Sequence, residues 1–363
     1  MLAAGIVGLP NVGKSTLFNA ITNSKAPAAN YPFCTLDPNI GVVEVLDERL
    51  DYLAAVFNSQ KKVPAVCRFV DIAGLVKGAS KGEGLGNRFL DHIRQVDLII
   101  HVVRCYKDDK ITHVSSKVDP LADIETINTE LIFADLEVVE RRIAKLEKSM
   151  KGGIKGGKEL ELLKAISESL LEGKFVFKTV NKESFGLIKS LNLLTAKKML
   201  YVANVNEVTP FELQKNIFLQ QVKKKAEEEK TSFLVLNAKL EEEITSMQKH
   251  EREFFLKELG LQETGLTKLI NKTYEMLGLI TFFTAGQKET KAWSLKKGKP
   301  AKEAAGLIHT DFKKNFIKAE VISYEDMVKA GSVHKAKEKG FLRLEGKDYI
   351  LKDGDIVTFK VGI

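Results

Sequence analysis

The sequence predicts an α/β fold: a sheet of buried strands, a helical insertion within it, and a smaller α+β part after it. Three observations carry this. Apolar runs at 2–7, 66–70, 98–103, 199–203 and 233–236 have the length and composition of buried strands. From Asp123 to about Thr195 the pattern turns helical and charged, and from Leu279 it turns to short strands around one helix. The expected boundaries are 1–122 and 196–278 for the two parts of the first domain, 123–195 for the insertion and 279–363 for the last domain. A chain of 363 residues is long enough for such a division, with a well-buried core.

The first strand runs into Gly8-Leu9-Pro10-Asn11-Val12-Gly13-Lys14-Ser15, and Thr16 to Ile21 then reads as a helix start. The pattern G-x-x-x-x-G-K-[ST] between a strand and a helix is a phosphate-binding loop. Its glycines let backbone N–H groups wrap a phosphate chain, and the helix N-terminus adds a favourable dipole. Asn11, Val12, Gly13, Lys14, Ser15 and Thr16 are therefore the expected phosphate-binding positions. Lys14 would reach the β- and γ-phosphates and serve catalysis there, and the Ser15 hydroxyl would bind Mg²⁺. A chance glycine turn is the alternative, and the strand–loop–helix setting argues against it.

The second strand ends in Asp71-Ile72-Ala73-Gly74, a D-x-x-G. Asp71 would hold Mg²⁺ through water and Gly74 would sense the γ-phosphate. Between the two motifs, Thr35 in the loop 30–38 is the candidate for a further Mg²⁺ ligand. Leu75 follows Gly74 where Ras-type enzymes carry a water-orienting glutamine, and leucine cannot bond water. The stretch to Phe89 is glycine-rich and is expected to order with nucleotide. His101, within the strand 98–103, reads as a core residue and His309 as structural. His113, in the polar loop 108–119, could align or deprotonate water, with a solvated loop histidine as the alternative.

In the insertion, Leu136, Val139, Ile143, Leu146 and Met150 recur at three- and four-residue spacings, as do Leu163, Ile166 and Leu170 after a glycine-rich turn. This is an antiparallel helical hairpin with one apolar seam. The strand 199–203 then opens on Asn204-Val205-Asn206-Glu207, where a GTPase carries Asn-Lys-x-Asp. Val205 lacks the lysine stem that packs along a base, and Glu207 carries its carboxylate one methylene further out. The bidentate guanine contact is lost, while Asn204 and nearby backbone can still serve an adenine. Asn237-Ala238-Lys239, after the strand 233–236, supplies a second wall, so Asn204, Val205, Glu207 and Ala238 are the expected base-binding residues.

The composition, 44% hydrophobic and 29% charged, is that of a soluble globular protein. The N-terminus has no signal-peptide pattern, and no apolar run approaches the ~18 residues of a membrane span. Cys34, Cys67 and Cys105 show no paired or metal-binding spacing, which suits a reducing cytosol. Residues 279–363 hold 17 Lys and Arg against 11 Asp and Glu, so +6 of the net +8 lies there. That charge points to RNA, with a solvated lysine surface as the alternative.

The stretches GLPNVGKST, DIAGLVKGASKGEGLGNRFL, HVVRC and NVNE together resemble the YchF-type Obg-like ATPases, and FFTAGQKETKAW, AAGLIHTDF and LEGKDYILKDGD resemble their TGS domain. The resemblance spans essentially the whole chain. It implies a P-loop NTPase sheet with an inserted helical hairpin and a C-terminal ubiquitin-like α+β TGS domain. It also implies ATP preferred over GTP, slow hydrolysis with Mg²⁺, His113 in place of the missing glutamine, and Asn11 helping to bind K⁺. The implied partner is the ribosome, through large-subunit or rRNA contacts, for a cytoplasmic protein with no DNA or membrane partner; a monomer is favoured, and the sequence does not determine the oligomeric state. A GTPase and a non-catalytic ATP-gated adaptor are the rival readings. If the base reading holds, competitive titration gives tighter binding of ATP than of GTP. The double change Val205→Lys with Glu207→Asp then moves the preference towards GTP by about 1–3 kcal/mol.

Overall fold

The alternation of apolar strands and helices gives a six-stranded sheet in the order β2-β4-β1-β5-β6-β7. The strands are β1 (Ala3–Val7), β2 (Ile40–Val45), β3 (Lys61–Val63), β4 (Ala65–Asp71), β5 (Leu98–Arg104), β6 (Lys198–Asn204) and β7 (Ser232–Leu236), with β3 in a second sheet. The structure is a computed structural model that describes residues 2–23, 39–72, 85–111, 117–151 and 156–362. β1 runs parallel to β4 and β5, β5 to β6, and β6 to β7. β1 and β5 are buried along their whole length, as apolar strands of a parallel sheet covered on both faces must be. Because these strands are parallel, the loops after β1, β4, β5, β6 and β7 leave from one edge of the sheet. That edge is where open α/β sheets bind ligands.

The hairpin consists of helices Pro120–Lys151 and Gly157–Leu171. Val139, Leu146, Leu163, Ile166 and Leu170 are buried between them, with Leu136, Ile143 and Met150 packed alongside. The seam read from spacing is this core. Asp135 ties the long helix to the chain approaching β6. Its carboxylate is fully buried and accepts from the Leu194 N–H at 2.9 Å, the Thr195 N–H at 2.7 Å and the Thr195 hydroxyl at 2.6 Å. Burial raises its pKa, and these three donors oppose the rise. Among the described residues, no helix is long and apolar enough to cross a membrane.

The second sheet contains β8 (Leu279–Ala285), β9 (Glu289–Lys296), β10 (Phe316–Ile322), β11 (Arg343–Glu345) and β12 (Ile356–Val361), in the order β11-β10-β12-β8-β9-β3. A β8–β9 hairpin, a helix Ala301–Ile308 and a parallel β8–β12 pair make the ubiquitin-like arrangement. Phe282, Leu295, Ala301, Ala304, Val321 and Val357 fill its core. Residues 349–351 form no strand, only an isolated bridge between Ile350 and Pro300. The Tyr349 hydroxyl donates to Asp355 at 3.0 Å, and Asp355 also accepts from the Lys352 N–H at 2.9 Å. These bonds fold the segment into turns, and Arg343–Glu345 takes the strand position beside β10 instead.

The chain forms two compact units. One is built on Met1–Asn23, Asp37–Gly41 and Arg68–Leu266, the other on Val42–Cys67 and Thr267–Ile363. Val42–Cys67 joins the second unit through β3, which pairs in parallel with β9 from Lys61↔Glu289 to Val63↔Lys291. Around it, the Ser59 hydroxyl donates to Gly286 O at 2.7 Å. Arg49 bonds Asp47 and, at 2.6 Å, Asp353, with its guanidinium 5.4 Å from the centre of the Phe283 ring. A cut at Leu279 would therefore strip 42–67 of its partners. Arg49→Met is expected to destabilise this unit by about 1 kcal/mol, a charge-assisted bond discounted for the half-exposed Asp353. Urea unfolding of the full chain measures it, and an unchanged midpoint would show that β3 alone holds the segment.

Candidate functional site

The phosphate loop is shaped by backbone that only some residues tolerate. Asn11 has φ 61° and Gly13 φ 98°, both left-handed. A Cβ on Gly13 would lie 2.2 Å from the Asn204 side-chain nitrogen, and one on Gly8 would lie 2.6 Å from Val102 O. The helix Lys14–Asn23 begins at once, its Leu17 N–H bonding Gly13 O at 2.9 Å. Ser15 and Thr16 follow in the first turn, Ser15 exposed. The Lys14 ammonium donates to Leu9 O at 2.7 Å, which folds the side chain back over the loop.

Asn204, at the end of β6, is buried and uses both ends of its amide. Nδ2 donates to Val12 O at 2.9 Å, and Oδ1 accepts from the Ala238 N–H at 2.9 Å. The loops after β6 and β7 are also joined by Val205 N–H to Leu236 O at 3.0 Å and by Asn237 Nδ2 to Asn206 O at 3.0 Å. Asn237 Oδ1 caps the helix Ala238–Ser246 by accepting from Leu240 N–H. Asn237 is thus a helix cap and a loop tie. Val205 and Ala238 have buried side chains, each 1% exposed, so they set the height of the base loops from beneath rather than offering an open face. Glu207 is half-buried, and its Oε1 accepts from Asn216 Nδ2 at 2.9 Å.

Electrostatics single out the phosphate end. Burial lowers the Lys14 pKa to about 8, and the nearby Asp71 carboxylate opposes the drop. The Asp71 carboxyl is itself raised by burial, with Lys14 pulling it down. Asp71 Oδ1 is buried with no hydrogen-bond partner among the described residues. A desolvated, unpartnered carboxylate oxygen beside a phosphate loop suits a hard cation or its bound water, so the residues present fit Mg²⁺. Among the described residues, no three His, Cys, Asp or Glu side chains gather as a metal cluster. His101 on β5 is buried, and burial with nearby Lys14 lowers its pKa to about 3. It packs edge-on against Tyr201 as the core residue it was read to be.

Beyond β5, the buried guanidinium of Arg104 donates to three carbonyls: Tyr106 O, Asp108 O and Ile111 O, each at 3.1 Å. It also lies 4.7 Å from the centre of the Tyr106 ring. Arg104 thus shapes the loop leading towards residue 112. Thr35, Gly74, Leu75, Cys34 and His113 lie outside the described residues. Cys67 and Cys105 are free and buried. Arg104 and Asn216 were missed in the sequence, as were the contacts that Asn237 makes. An asparagine ahead of an apolar run signals a helix start, but nothing in it names a long-range partner.

The chain is similar in sequence and fold to known proteins. A family model described as "50S ribosome-binding GTPase" matches residues 3–135, and the model YchF-GTPase_C matches residues 279–362. The chain is 52% identical to the "Ribosome-binding ATPase YchF" of Bacillus subtilis (strain 168), over 100% of both chains. It is 50% identical to the protein of that name from Escherichia coli O157:H7, over 98% of both. The chain belongs to the YchF family. The solved structure of the Schizosaccharomyces pombe YchF GTPase superposes with a TM-score of 0.88 at 38% identity, covering 99% of this chain and 97% of that one. As a YchF-family member with this phosphate loop, the protein is a P-loop nucleotide hydrolase.

The Lys14 environment gives a pH signature. A bound phosphate chain favours the charged ammonium, whereas the free protein holds it at about 8. Below that pH the lysine is already charged and binding takes up no proton there. Above it, binding must take up a proton, and affinity falls by up to about tenfold per pH unit. Calorimetry at pH 8.5 in two buffers of different ionisation heat is expected to show uptake of most of one proton. Equal heats in the two buffers would contradict it.

Proposed function

We propose that this YchF-family protein is a cytoplasmic ATPase that prefers ATP to GTP, hydrolyses it slowly with Mg²⁺, and binds the ribosome. The base loop carries the nucleotide preference. Val205 supplies no stem to lie along a base, and Glu207 is engaged with Asn216 rather than free to grip a guanine edge. At the phosphate end, the backbone N–H groups of 11–16 and the Lys14 ammonium bind and orient the phosphates, and Lys14 neutralises their charge. Ser15, Thr35 and Asp71 would hold Mg²⁺, which supplies further charge stabilisation on the phosphate oxygens. By resemblance to the family, Asn11 would help to bind a monovalent cation such as K⁺.

Leu75 cannot orient water, so we assign that role to His113, whose imidazole can accept a proton from the attacking water near neutral pH. The chain from β5 reaches it through the loop that Arg104 braces. Ribosome binding is supported by the names of the relatives and by the +6 charge of residues 279–363. Lysines that pair with phosphates release counterions, so the association should weaken steeply as salt rises.

Single-turnover hydrolysis, with and without ribosomes, tests the reading. His113→Ala is expected to slow turnover by about 10²–10⁴-fold with little change in ATP affinity. An unaltered rate would remove His113 from the mechanism, and no hydrolysis by the unmodified protein under either condition would favour an ATP-gated adaptor. Co-sedimentation at rising salt reads the partner in the same samples.

A further inference from the structure

Glu207 stands where a GTPase places the carboxylate that accepts two hydrogens from guanine. Both of its oxygens are engaged by the protein: Oε1 accepts from Asn216 Nδ2 at 2.9 Å, and Oε2 from the Asn206 N–H at 3.2 Å. Asn216 is 8% exposed and anchored on two further sides. Its Nδ2 also donates to Cys105 O at 2.8 Å, and its Oδ1 caps the helix Ile217–Glu228 by accepting from the Leu219 N–H at 2.9 Å. Cys105 is fixed in turn, its N–H bonding Asn204 O at 2.8 Å. The amide therefore has both donors and its acceptor committed, and it can move only if the end of β5, the helix start or Glu207 moves with it.

We propose that Asn216 is a specificity-determining positioning residue, which acts by withholding the Glu207 carboxylate from the base. At the edge that faces this position, guanine offers two N–H donors, whereas adenine offers one donor and a ring nitrogen with a lone pair. A free carboxylate rewards the first and repels part of the second, so holding it on Asn216 removes a guanine contact and spares adenine a repulsion. The added methylene of Glu207 gives it the reach to meet Asn216. The inference rests on the nucleotide reading above and explains how the fold enforces it.

Asn216→Ser and Asn216→Asp each keep an oxygen to cap the helix and remove the donor to Glu207. Competitive displacement by ATP and GTP, with Mg²⁺, is measured for the unmodified protein and each variant. Both variants are expected to shift the affinity ratio towards GTP by about tenfold, the lower part of the range for one base contact. The shift should vanish when Glu207→Gln is added. Glu207→Gln alone should leave the ratio within about threefold, because the withheld carboxylate contributes nothing to lose. The proposal is overturned by folded Asn216 variants with an unchanged ratio, by a shift that survives Glu207→Gln, or by a tenfold change in the Glu207→Gln single variant. The ratio of the unmodified protein reports separately on ATP preference, whatever the variants do. Thermal melts identify any variant that fails to fold, and Glu207→Gln then decides the question alone.

Discussion

The side-chain amide of Asn204 joins two loops from distant parts of the chain, and the nucleotide end of the sheet depends on that join. Its donor goes to Val12 O in the phosphate loop and its acceptor takes the Ala238 N–H at the start of a helix. All three groups are buried, so breaking either bond would leave a polar atom dry and unpaired at a cost of about 1–3 kcal/mol. The loops after β1, β6 and β7 therefore behave as one piece. Gly13 is part of the same constraint, because any side chain there would occupy the space of the Asn204 amide.

Around this join the protein keeps charges out of water in a way that suits a phosphate ligand. Lys14 and Asp71 each suffer from burial and relieve one another only in part. A phosphate chain with its cation supplies the missing counter-charges, so ligand binding satisfies groups that the folded protein alone leaves strained. His101 stays neutral close by, which avoids adding a second positive charge beside Lys14. The buried Arg104 guanidinium bonds three backbone carbonyls, and so fixes a loop.

The second unit shows how a short strand can tie in a distant part of the chain. β3 is three residues long, yet it places 42–67 with the C-terminal sheet through β9, Ser59 and Arg49. Of the chain between β2 and β4, β3 is thus committed to the sheet of residues 279–361, the part that carries most of the net positive charge.

Sequence by itself determined the parallel strands, the phosphate loop, the seam of the hairpin and the altered base motif. Each is written in local pattern: runs of apolar residues, a glycine spacing that only one backbone shape explains, a three-four repeat, and Val205 with Glu207 in place of lysine and aspartate. Tertiary structure alone decided what these parts touch. Nothing near Asn216 announces that it will meet Glu207 and Cys105 O, and nothing near Lys61 announces β9. Tyr349 to Leu351 carry strand-like composition, but Asp355 draws the segment into turns. Local propensity fixes the element a residue prefers, whereas hydrogen bonds between residues far apart in sequence depend on which elements the packed sheet brings together.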